Sequence, residues 1–137
     1  MVSLTKIGQA KSESKFIATV VENEIAETLE SWDETPRMRW IQKLKMLDID
    51  NRDELGRELL RNSKNNVYGR SGAPAGLGSG VHAKSAAYAE LLGVEDIDDG
   101  SMTVGKTFRF ASRTIERGKD AEGNLITERA DVPIEYF

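Results

Sequence analysis

The stretch from Asn62 to Val81, NSKNNVYGRSGAPAGLGSGV, divides this chain and limits what it can fold into. Glycine loses more backbone entropy on ordering than any other residue, and a polar Gly/Ser/Asn run buries little apolar surface to offset that loss. A loop this long without regular structure inside a compact domain is either functional or a linker. If it is ordered, something must hold it, and a partner surface is the simplest candidate. The side chains suited to such docking are Tyr68, Arg70, Leu77 and His82 in and beside the loop, joined by Arg117 and Lys119 further along.

At 137 residues the chain is of single-domain size. Its 39% hydrophobic and 31% charged content is that of a soluble globular protein. A net charge of −4 argues against a surface that binds nucleic acid over its whole extent, while leaving room for a local basic face. There is no cysteine, which excludes disulfides, thiolate metal sites and a cysteine nucleophile. The first residues, MVSLTKIGQAKSESK, have no apolar core of a signal peptide, and no stretch approaches membrane-spanning length. The expected location is the cytoplasm, or a virus particle assembled there.

The first half reads as helices. Phe16, Ile17, Val20, Val21, Ile25, Leu29 and Trp32 fall on one helical stripe, with Glu22, Glu24, Glu27 and Glu30 elsewhere. A second helix is expected from Thr35-Pro36, with Met38, Ile41, Leu44 and Leu47 as its apolar stripe. Asp50 suits the N-cap of a third, carrying Leu55, Leu59 and Leu60. After the glycine-rich loop a short helix is expected over 83–92, stopped by Gly93. Strand-like segments follow, with GKDAEGN (118–124) as the loop of a long hairpin and Pro133 confining the last strand to an edge or an end. The expected class is α+β: a helical bundle in 1–61, the loop in 62–82, and a short helix with a β-hairpin or small antiparallel sheet in 83–137.

One motif is formally complete. Gly100 to Thr107, GSMTVGKT, satisfies the phosphate-loop pattern. That chemistry needs a buried strand before the loop and a helix after it. Here the preceding residues are acidic and the following ones read as strand, so a chance match is expected. His82 is the only histidine, which leaves no two-histidine metal site and little basis for a catalytic triad. Asp96, Asp98 and Asp99 miss the spacing of a calcium loop. No cofactor, metal or catalytic group is expected, and the protein reads as a non-enzyme.

Arg37, Arg39, Lys43 and Lys45 make the expected second helix basic, with Trp40 on the margin. This row could track a phosphate backbone or could neutralise the acidic segment before it. Phe108 and Phe110 flank Arg109 on one face of an expected strand, where core packing is the ordinary role. The leading expectation is a structural or adaptor subunit of a symmetric assembly, such as a virus-particle connector, neck or tail component. It would dock copies of itself and other subunits through the loop and hairpin. The alternative is a small nucleic-acid-binding regulator using the basic second helix.

Overall fold

The structure is a computed structural model describing residues 14–48, 52–68, 79–119 and 121–137. Five strands form one antiparallel sheet: β1 (Ser14–Thr28), β2 (Arg37–Met46), β3 (Arg61–Asn66), β4 (Thr107–Lys119) and β5 (Leu125–Tyr136). Their spatial order is β3-β2-β1-β4-β5. A single α-helix among the described residues, α1 (Ser79–Leu92), lies between β3 and β4 in the chain, followed by a 3-10 turn at Ser101–Thr103.

The expected α+β arrangement with an N-terminal helical bundle is therefore wrong: one five-stranded antiparallel sheet, with a single α-helix among the described residues, takes its place. Its first helix is β1, its second is β2, and the described part of its third, 52–60, is a loop with an isolated bridge between Arg52 and Glu58; the expected N-cap Asp50 lies outside the described residues. On β1, Phe16, Ala18 and Val20 alternate inward, as strand residues must. A bulge between Val20 and Glu22 then shifts the phase. Beyond it Asn23 and Ile25 lie opposite Gln42 and Trp40 on the inner face. On β2, Trp40, Gln42 and Leu44 point inward while Arg39, Ile41 and Lys43 occupy the other face. In the 52–60 loop the Asp53 carboxylate accepts hydrogen bonds from the amides of Leu55 and Arg57, and Gly56 takes a positive φ of 78°. This is turn chemistry, in which aspartate mimics a backbone acceptor.

The expected loop over 62–82 is wrong at both ends, where β3 takes 61–66 and α1 takes 79–82, while the helix and hairpin beyond it lie near their expected places. The helix starts at Ser79, four residues before the expected start, and gives way at Gly93 with φ 69°. The β4–β5 hairpin turns between Lys119 and Leu125. Pro133 sits on β5, an edge of the sheet order, where the missing N–H is tolerated.

Because β4 returns to lie beside β1 of the β1-β2-β3 meander, the connectivity is a Greek key. The sheet curls until its two edge strands approach. Arg61 of β3 forms a bidentate pair with Asp131 of β5, both contacts 2.9 Å. Asn65 Nδ2 donates to Glu128 Oε1 at 2.9 Å and to the Arg129 carbonyl at 3.0 Å. The result is a partly open barrel whose seam is joined by side chains.

Helix α1 lies on this seam. The Gly80 amide donates to Glu128 Oε2 at 3.0 Å, Lys84 Nζ to Ser63 Oγ at 2.9 Å, and Tyr88 Oη to Gln42 Oε1 at 3.0 Å. These residues recur every four positions, the spacing of one helix face. A Cβ at Gly80 would lie 2.5 Å from Asn65 Nδ2, so glycine permits the helix to start this close to β3. The core comprises Phe16, Ala18, Val20, Trp40, Leu44, Phe108 and Phe110 from the sheet, with Tyr88 and Ile97. Leu44 is fully buried, whereas Ile25 is 45% exposed at the end of its strand. Leu44→Ala should therefore destabilise by about 2–5 kcal/mol and Ile25→Ala by under about 1 kcal/mol. Denaturant melts that rank the two in the opposite order would contradict this core.

The phosphate-loop match resolves into a turn leading to a strand. Gly100 takes φ 85°, and a Cβ there would meet Asn23 Oδ1 at 2.8 Å. Lys106 Nζ donates to the Met102 carbonyl at 2.7 Å, and Thr107 opens β4 with its hydroxyl 2.6 Å from that of Thr19. A strand stands where the motif requires a helix.

Candidate functional site

The register fixes what lies on the outer face of β1, β2 and β3. Lys43 stands between Glu22 of β1 and Asn62 of β3. Ile41 stands between Glu24 and Lys64, and Arg39 between Ala26 and Asn66. A lysine- and asparagine-rich surface on β2 and β3 thus borders an acidic row on β1.

The four basic residues singled out in the sequence divide into two pairs. Arg39 is buried and donates to the Thr28 carbonyl, to Thr28 Oγ1 at 3.1 Å and to Asp33 Oδ2 at 2.9 Å. Arg37 also donates through Nε to Asp33. The hydrogen bond from Arg37, and then that from the Thr35 amide, hold the Asp33 carboxyl below its usual range. These two arginines lock the β1–β2 loop. Lys43 and Lys45 are different: both are about half exposed, paired with Glu22 at 3.1 Å and Glu58 at 3.6 Å. Solvent-exposed pairs of this kind contribute little, so either lysine can exchange its carboxylate for another anion.

The β1–β2 loop places Trp32 at the rim of this face, 69% exposed. Lys64 Nζ lies 5.9 Å from the centre of its ring and 2.9 Å from Glu30 Oε1. The hydrogen bond from Lys64 is the largest influence lowering the Glu30 carboxyl. An exposed indole beside a lysine offers a stacking surface next to a cation.

The second element is a polar cleft of about 220 Å³ at the β3–β5 seam. Its charged and polar walls include Arg61, Asn62, Lys64, Ser112, Arg129 and Asp131. Among the described residues the Arg129 guanidinium is held by hydroxyls, donating to Ser112 Oγ at 2.8 Å and Thr114 Oγ1 at 3.1 Å.

Beneath the seam, Lys84 is fully buried, with its ammonium 4.4 Å from the Trp40 ring centre and 3.3 Å from Asn65 Oδ1. Burial lowers its pKa to about 8, against the opposing charges of Asp131 and Glu128. Burial likewise pushes the Tyr88 phenol well above its usual range, against the hydrogen bond with Gln42. Both groups are sealed from solvent and serve the barrel's interior.

The expected docking residues that are described lie on or beside three different elements. Tyr68 is 40% exposed just beyond β3, His82 is exposed on α1, and Lys119 is exposed at the end of β4. Arg70, Leu77 and the side chain of Arg117 lie outside the described residues. The acidic turn directs carboxylates at its own backbone: Asp96 accepts from the Asp98 amide and Asp99 from the Ser101 amide, both at 3.0 Å. Among the described residues no cluster of three metal-ligating side chains occurs, and no helix is long and apolar enough to cross a membrane.

Trp32, Arg61, Lys64, Arg129 and Asp131 did not emerge from the sequence as site residues. The alternating Arg-Asn-Ser-Lys-Asn-Asn of β3 was a usable signal, a polar strand feeding one face with Asn62, Lys64 and Asn66. The pairing of Arg61 with Asp131, seventy residues apart, left none. No protein-family model matches this chain, and no curated protein or solved structure is significantly similar to it.

Proposed function

We propose that this protein binds single-stranded nucleic acid across the outer face of β2 and β3. The observation that carries the reading is the placement of exposed Trp32 beside Lys64 on the rim of a five-stranded, partly open Greek-key barrel. The connectivity resembles that of oligonucleotide- and oligosaccharide-binding barrels, whose ligands lie on strands 2 and 3 and under the β1–β2 and β4–β5 loops. Fold analogy alone does not assign function, so the site chemistry must agree with it. Here it does: Lys43, Lys45 and Lys64 supply cations for a backbone, Asn62 and Asn66 supply hydrogen bonds, and Trp32 supplies a stacking face. The basic row stays in this reading, now on a strand, with Lys43 and Lys45 as its binding members. The role is binding without chemistry on the substrate.

The assembly role expected from the sequence rests on the central loop, whose residues 69–78 lie outside the described residues. It is the second outcome of the experiment. Fluorescence anisotropy with a labelled oligothymidylate and a duplex of equal length, at about 50 mM salt, should show a preference for the single strand that weakens as salt rises. Trp40 is buried and Trp32 exposed, so quenching of tryptophan emission on binding should come from Trp32. Trp32→Ala should weaken binding by about 5- to 150-fold, the range of one lost base–aromatic stack. No binding to either oligonucleotide, with a ring or filament in negative stain, would replace this reading with the assembly role.

A further inference from the structure

We propose that the β3–β5 seam cleft is a phosphate subsite, in which Arg129, backed by Ser112 and flanked by Asn62, grips one phosphate of the bound strand. This rests on the single-strand reading and extends it from the β2–β3 face to the seam.

The reasoning begins with the partners of each cation. On β2 and β3, Arg37, Arg39, Lys43, Lys45, Arg61 and Lys64 each have a carboxylate within 3.6 Å. Arg129 differs. Its contacts among the described residues are the Ser112 and Thr114 hydroxyls, which orient the guanidinium without neutralising it. Guanidinium carries five N–H donors in a fixed plane, and two are engaged, leaving three to address a ligand. A phosphate accepts such a fork through two oxygens at once.

The cleft's own composition supports the same ligand. Arg61, Lys64 and Arg129 line it against one carboxylate, Asp131. Both oxygens of Asp131 are engaged by Arg61, so that carboxylate faces its own partner across the seam. Glu128, the neighbouring acid on β5, directs its carboxylate to Gly80 and Asn65 on the α1 side. What remains exposed to the cleft is a positive fork with amide and hydroxyl groups around it. Its volume of about 220 Å³ accommodates a phosphate with part of its sugar and excludes a folded partner.

Position links the cleft to the main face. Asn62 and Lys64 belong to both, since they lie on the outer side of β3 and line the cleft. A strand stacked on Trp32 and running across β3 therefore reaches Arg129 without leaving the surface.

The test combines two probes on the full chain. Salt titrations with oligothymidylate should show Arg129→Gln binding about 5- to 20-fold more weakly than wild type. Its slope of log K against log salt should be shallower by about 0.7, the loss of one phosphate contact to a single strand. Arg129→Lys, which keeps the charge but not the fork, should retain the slope and only part of the affinity. Inorganic phosphate titrated into labelled protein should shift the Arg129 side-chain resonance and the Asn62 and Ser112 amides. Unchanged affinity and slope in Arg129→Gln would overturn the subsite while leaving the single-strand reading intact. Failure of wild type to bind the oligonucleotide would remove that reading. In that case a phosphate-induced shift at Arg129 would preserve an anion site, and its absence would remove the subsite too.

Discussion

Tyr88→Ala is expected to destabilise the protein by about 3–5 kcal/mol, among the largest effects of any single substitution here. The side chain is fully buried at the centre of an aromatic cluster. Its ring lies 5.0 Å from Phe108 and 6.3 Å from Phe110, both edge-on, and 6.0 Å from Trp40. These are the tilted geometries that aromatic quadrupoles favour. Alanine would empty the space where α1 meets β2 and β4, and a helix pinned by Gly80, Lys84 and Tyr88 would lose its deepest anchor. Tyr88→Phe separates packing from polarity. It keeps the ring but leaves Gln42 Oε1 without its donor, a cost of about 1–3 kcal/mol. Chemical denaturation of the three proteins measures both steps. Equal midpoints for wild type and Tyr88→Ala would mean that α1 is not part of the cooperative unit.

The second large effect is a rise in stability with alkaline pH. Burial, which disfavours its charge, makes the Lys84 ammonium release its proton near pH 8 in the fold, against about 10.5 in the unfolded chain. Between those values the unfolded chain holds a proton that the folded chain has released, so unfolding becomes harder as pH rises. Below pH 8 both states are protonated and the penalty is constant. By pH 10 the gain should reach about 2–3 kcal/mol. Tyr88 acts with the opposite sign. Its folded pKa is raised, so above its ordinary value of 10.0 the unfolded state ionises first and stability falls. Melts across the alkaline range should therefore pass through a maximum near pH 10. Lys84→Met should flatten the rise between pH 8 and 10. A wild-type curve already flat there would show that Ser63, Asn65 and the nearby acids compensate the burial of the ammonium.

The parts of the fold legible in the sequence were those governed by local chemistry. Gly93 ended the helix, and GKDAEGN turned the hairpin, because φ preference and turn composition act over a few residues. Strands β1 and β2 were read as helices for identifiable reasons. In β1 the bulge after Val20 shifts the inward set from Phe16, Ala18 and Val20 to Asn23 and Ile25. A broken two-residue period imitates a helical stripe. In β2 the inward set Trp40, Gln42 and Leu44 is strictly alternate, with Ile41 and Lys43 between and Arg39 and Lys45 on either side. Gln42 concealed the pattern, because a glutamine is seldom counted as core. It is buried by virtue of bonds to Tyr88, Thr103 and Asn23 that only the assembled barrel supplies. For the site, the basic row was visible, but the separation of locking arginines from exchangeable lysines required the position of Asp33. Trp32 was misassigned to a helical stripe, although as an aromatic between Ser31 and Asp33 it lies in a turn-forming context. Arg129 became notable only through what its neighbours do not offer.

The side-chain closure of the barrel also bears on aggregation. A barrel sealed by backbone ladders has no free edge, whereas this one can part at the Arg61–Asp131 and Asn65–Glu128 contacts and uncover β3. Unpaired strand edges recruit other chains, most readily when they are apolar and low in charge. Yet β3, Arg61–Asn66, contains no apolar residue and two cations. A molecule whose seam opens transiently thus presents a strand that gains little by stacking on a copy of itself and is repelled by its charge. Self-pairing along β3 is disfavoured even when the barrel is ajar.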